Sequence, residues 1–179
     1  SLAHNVANVT MFFHRLQKHQ VKLTTGMTAE DIVGGNVQLT CAVIWSMCKH
    51  FIIWPLSLEA PKSFSGGVRF LAAWAEATTT HAGLKIVKFN FQTFGDGMHF
   101  HGILHGAGLV AEMPDAAKAE ENAKANVNAV LDATDKFEVP RLFSATELTK
   151  GRVPSKLLLL YAYWLWTAVS AADNSDDEE

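Results

Sequence analysis

The sequence predicts an all-α protein, a helical bundle, on three observations. Apolar residues recur at three- and four-residue spacing in successive stretches. The five prolines fall at the ends of those stretches rather than inside them. Hydrophobic residues make up 49% of the 179 and charged ones 18%, the balance of a chain that buries a core.

Residues 4–19 place Val6, Val9, Phe13 and Leu16 at helical spacing beside Phe12, with Asn5 or Asn8 available to cap the start. In 31–51, Gly34 and Gly35 accept left-handed backbone angles and Asn36 stands at an N-cap position. Val37, Cys41, Ile44, Cys48 and Phe51 then recur at 4-3-4-3 spacing, and Trp45, Ile52, Ile53 and Trp54 widen the stripe. A helix this apolar is expected at the centre of a bundle, ending at Pro55. Residues 55–67, with two prolines, three serines and Gly66-Gly67, read as a linker. A new helix is expected over 68–80, with Phe70, Leu71, Trp74 and Ala77 on one face. Residues 85–94 alternate enough to pass for a short strand on propensity. Further helices are expected over 113–124, 126–137 and 156–172, the last apolar all round.

Charge excludes some functions. The formal net charge is −3, of which five acidic residues within 173–179 supply −5, so the remainder carries +2. That surplus is too small for a nucleic-acid surface, and the acidic end reads as a solvated, disordered tail. Cys41 and Cys48 stand seven residues apart, about 10 Å along a helix, too far for a disulfide. Reduced core thiols in a cytosolic protein are expected. The start shows no basic signal-peptide region. The one membrane-like run, 157–172, falls short of the roughly 20 residues that span a bilayer.

His99, His101 and His105 are the metal-like feature. His101 and His105 share a helix face, but His99 points elsewhere and no third ligand or H-E-x-x-H pattern follows. They read as structural histidines, with no metal and no cofactor. Gly95-Asp96-Gly97 and residues 102–108 lack the Lys-Ser/Thr of a phosphate loop. No nucleophile–base pair is supported by spacing, so the chain reads as non-catalytic.

Two sets of residues carry a resemblance. Asp31, Ile32, Val33, Gly35, Asn36, Leu39, Thr40, Ile44 and Trp45 stand in step with D-I-V-x-G-N-x-x-L-T-x-x-x-I-W. That run closes the first calponin-homology domain of tandem actin-binding regions of the alpha-actinin and spectrin type. Asn90, Phe91, Thr93, Phe94, Asp96 and Gly97, then residues 98–105, resemble the aromatic loop and central helix of the second domain, with Phe94 in a tryptophan's place. Leu71 and Trp74, then Val139-Pro140 through Leu148, resemble its opening helix and a later segment.

The resemblance replaces the strand reading of 85–94 by an irregular loop. It implies a calponin-homology bundle with one partial and one complete domain. Residues 1–54 would be the C-terminal half of the first, 55–67 a linker, 68–172 the second, and 173–179 the tail. It further implies a cytoplasmic, cytoskeletal module that binds or crosslinks filamentous actin. Gln38, Thr40, Ser46, Lys49 and His50 would be exposed contacts from the first domain's last helix, and Arg69 and Glu76 from the second's first. A phosphoinositide site would use Lys85 and Lys88, although Gly95 and residues 106–110 replace basic residues of the family there. The alternative is a protein–protein scaffold, or a homodimer in which a second chain completes the half-domain.

Overall fold

The computed structural model describes residues 1–86 and 88–175, and among these there is helix, turn and coil but no strand. The chain forms two compact units, Ser1–Gly67 and Val68–Glu179.

In the first unit, α1 (Leu2–Lys18) is capped by Ser1, whose hydroxyl accepts from the His4 amide, rather than by Asn5 or Asn8. A short α2 (Ala29–Val33) starts in a capping box. Thr28 accepts from the Asp31 amide while the Asp31 carboxylate accepts from that of Thr28. Only Gly35 of the glycine pair is left-handed, at φ +81°. Asn36 then caps α3 (Val37–Met47) through a 3.1 Å bond from Leu39 N–H. Beyond Met47 the coil widens to a π-helix, Cys48–Ile53, and tightens to a 3₁₀ turn, Trp54–Leu56, that contains Pro55.

The small core of this unit is Phe13, Leu16, Val21 and Val43, with Val9, Leu23, Met27, Ile32 and Met47 packed around it. The expected core stripe faces the other way. Val37 is 71% exposed, Ile44 55% and Phe51 46%, and Cys41 is exposed as well. Val43, Ser46 and Ile53 point inward instead. A helix apolar on nearly every side offers two stripes of similar strength, and periodicity cannot choose between them. Val37–Leu56 is also the run, among the described residues, long and apolar enough to cross a membrane by length and composition. Residues 157–172 were expected to be the membrane-like run.

α4 (Phe64–Thr79) begins inside the expected linker. Its first turn is held tightly: a Cβ on Gly66 would lie 2.1 Å from Ser57 Oγ, and one on Gly67 1.9 Å from the Ile53 carbonyl oxygen. These glycines serve close approach rather than flexibility.

The second unit contains the rest of α4, then α5 (Phe91–Phe94), α6 (Met98–Gly106), α7 (Ala123–Asp135), α8 (Ala145–Thr149) and α9 (Ser155–Ser175). Residues 84–90 form no strand, apart from Val87, which lies outside the described residues. They carry buried Ile86 and Phe89 instead. Of the helix expected over 113–124, one 3₁₀ turn forms, Ala116–Lys118, capped by Asp115, and Ala123-Lys124 open α7 instead.

Phe94, Phe100, Ile103, Leu104, Leu131, Leu148, Leu158, Tyr161 and Leu165 are fully or almost fully buried. Phe100 lies 4.4 Å from Phe94 and 5.1 Å from Tyr161, ring centre to ring centre. Tyr161 shares a 2.8 Å hydrogen bond with Thr134, and burial pushes its phenol up to about 12. At the entry to α6, Gly97 has φ +80°, and a Cβ there would stand 2.9 Å from Val127 N. Asn126 Nδ2 donates to the Asp96 carbonyl at the same junction. Helix α9 runs beyond residue 172, to Ser175. The side chains of 173–175 and all of 176–179, the expected acidic tail, lie outside the described residues.

Candidate functional site

The π-helical segment places the functional candidates. Its wider turn, closed by Trp54 N–H donating to the Lys49 carbonyl, carries Lys49, His50 and Trp54 on one short arc. π-segments recur at functional sites because they re-aim side chains at a cost in backbone regularity. Lys49 and His50 are half-buried here. Together with Ser46, Lys22, Trp54, Ser63 and Phe64 they line an open cleft of about 200 Å³.

The walls are aromatic. His50 and Trp54 meet edge to face at 5.0 Å, and Phe64 packs edge to face on Trp45 at 5.9 Å. The far rim is pinned, since Trp54 Nε1 donates to the Lys62 carbonyl and Lys62 Nζ to that of Pro55. Two lysines and no carboxylate belong to the cleft's lining. His50 Nδ1 is buried and finds no hydrogen-bond partner among the described residues.

Of the expected contacts, Ser46, Lys49 and His50 come together in this cleft. Ser46 is 8% exposed, however, and so is not the surface contact expected of it. It lies on the inward face of α3 with Val43. Gln38 is exposed on the first turn of α3, and Thr40 Oγ1 is occupied by the Asn36 carbonyl at 2.9 Å. Neither reaches the cleft. Arg69 and Glu76 are exposed on α4, in the second unit. Lys85 and Lys88 are exposed on the loop before α5, where the Lys85 carbonyl accepts from His99 Nε2 at 3.1 Å. Lys22, Trp54, Ser63 and Phe64 were not anticipated. Their signal was faint: a lysine after buried Val21 and a second tryptophan nine residues beyond Trp45.

The three central histidines take separate roles. His99 bonds to Lys85. His101 is buried, and that burial pushes its pKa below the usual histidine value, against a smaller opposing effect of the Asn126 backbone. His105 Nδ1 lies 2.8 Å from His81 Nε2. The ring centres are 5.0 Å apart and the planes 27° from parallel. That separation exceeds the N···N distance by about two ring radii, so the rings meet in line through one shared proton, not face to face. Among the described residues no group of three or more His, Cys, Asp or Glu could hold a metal ion. Burial also raises the Cys48 thiol.

No family model matches the chain. It is 27% identical over 176 residues to dystrophin, isoforms A/C/F/G/H, of Drosophila melanogaster, an alignment covering 98% of this chain and 5% of that protein. It is 25% identical over 177 residues to alpha-actinin-1 of Homo sapiens and to that of Gallus gallus, covering 97% of this chain and 19% of each. The chain therefore spans a small part of the relatives it matches, and is similar to that part from one end of the chain to the other.

Proposed function

We propose that this chain is a non-catalytic actin-filament-binding module of a cytoplasmic, cytoskeletal protein, built from the C-terminal half of one calponin-homology domain and a complete second one. The observation that carries the reading is the nearly end-to-end similarity to dystrophin and alpha-actinin-1. The all-helical architecture supports it, with Asn36 capping α3 as the D-I-V-x-G-N motif requires. Gln38, Lys49 and His50 are the proposed contacts on the first unit, with Arg69 and Glu76 on the second. Lys85 and Lys88 present two cations to a phosphoinositide headgroup at most, without the bidentate geometry arginine would supply.

Co-sedimentation with actin filaments tests the proposal. Saturable binding that weakens as salt rises is expected, because exposed lysine contacts are screened. No sedimentation above background at low salt would refute it.

A second reading has its own observation. The exposed stripe of Val37, Ile44 and Phe51 suits a partner protein or a second copy of the chain, which would also give a crosslinker its second filament site. Assembly through that stripe would be concentration-dependent and salt-tolerant, and sedimentation equilibrium distinguishes it from a monomer.

A further inference from the structure

We propose that the cleft of the first unit binds a small aromatic acid, a flat ring bearing a carboxylate or phosphate. Three properties of the cleft converge on that class. Its size comes first. An apolar cavity of about 150 Å³ holds benzene, and a water occupies about 30 Å³ of liquid. A cleft of about 200 Å³ therefore takes a ring and leaves room for one compact polar group.

Its walls come second. His50 and Trp54 meet at a steep angle, 88°, an arrangement that leaves a ring face and a ring edge for edge-to-face contact, and Phe64 adds a third ring to the lining. Its charge comes third. Lys22 and Lys49 belong to the cleft's lining, and no carboxylate does. Ser46 and Ser63 also line it. The cleft surface is mainly apolar, so the two lysine stems belong to its wall, and their flexible ammonium groups can meet an anionic oxygen held at its mouth in charge-assisted contacts. A purely apolar ligand would make no use of the two cations. A bare anion would leave the aromatic walls wet.

The inference needs only the first unit's cleft and stands apart from the actin reading. Lys49 is common to both, so ligand binding is measured with actin absent.

Isothermal titration of the full chain with phenyl phosphate, benzoate, inorganic phosphate and benzyl alcohol tests it. Phenyl phosphate is expected to bind at least tenfold more tightly than either inorganic phosphate or benzyl alcohol, with benzoate between. Replacing both lysines (Lys22→Ala with Lys49→Ala), exposed or half-exposed side chains whose loss leaves the core intact, is expected to weaken phenyl phosphate at least tenfold and benzyl alcohol hardly at all. Phe64→Ala is expected to weaken phenyl phosphate and benzyl alcohol alike. Phenyl phosphate that binds no better than inorganic phosphate, or equally well to the double variant, overturns the proposal, as does an absence of binding at millimolar concentration.

Discussion

The two units solve the same packing problem to different degrees. In the second, an aromatic chain from Phe89 through Phe94, Phe100 and Tyr161 to Phe143 is buried, carried by α5, α6, α9 and the segments before α5 and α8. In the first, the core cluster is only Phe13, Leu16, Val21 and Val43, while Val37, Ile44 and Phe51, on the apolar run from α3 into the π-helix, face outward. Hydrophobicity of a helix therefore does not decide its burial; the supply of partners does. α3 has enough neighbours for one face, and its second apolar face is left as surface. Contiguous apolar surface of this kind marks an interaction site more often than a folding element.

The sharpest way to break that comparison is to make one substitution in both units. Phe100→Ala should cost about 3–5 kcal/mol, because it empties a fully enclosed site. Phe51→Ala should cost less than about 1 kcal/mol, since the ring is already in contact with solvent. Urea unfolding of the two variants reads both, and equal losses would mean that the α3 stripe is covered in solution.

Glycines give a smaller contrast. Gly97→Ala puts a methyl group against the backbone of α7 at a left-handed position and should destabilise by more than about 1 kcal/mol. Gly26, equally left-handed but with open space around it, should suffer only the conformational cost of about 1 kcal/mol as Gly26→Ala. Thermal unfolding midpoints separate them. Tyr161→Phe, which removes one buried hydrogen bond while Thr134 keeps its bond to the Leu131 carbonyl, should cost about 1 kcal/mol.

The pH dependence follows from His101. Its folded pKa is depressed by burial, so the unfolded chain binds the proton more readily. Stability is therefore unaffected above the ordinary histidine value and falls as pH drops below it toward the folded value. Denaturant titrations at pH 7.5 and 5.5 should show this loss, and His101→Gln should reduce it. Asp135 and Glu147 shift the other way in cause but the same way in effect. Both are held low, Asp135 by its hydrogen bonds from Arg141 and Glu147 by those from Ser144, and their surface contributions fade only at more acidic pH.

Much of the fold was legible because local chemistry specified it. Asn36 and Gly97 each carry a geometric demand that one short motif reveals. Phe94 and the D-G turn likewise announced the start of α6. The orientation of α3 was not legible, since its two apolar stripes differ only in which of them meets α1, a long-range fact. Gly66-Gly67 read as flexible because close approach to Ile53 and Ser57 is invisible without the neighbour. The cleft was half legible. Ser46, Lys49 and His50 were singled out on one helix, but as separate surface contacts. Lys22 and Phe64 join them only through folding, and the π-turn that gathers Lys49, His50 and Trp54 has no simple sequence signature.

Co-sedimentation of the wild-type chain and Lys49→Ala with actin filaments, at about 0.1 M salt and with Lys88→Ala as the control from the second unit, tests the functional reading most directly. The account predicts saturable binding by wild type, an affinity several-fold weaker for Lys49→Ala, and no change for Lys88→Ala. Equal affinity for wild type and Lys49→Ala would contradict it.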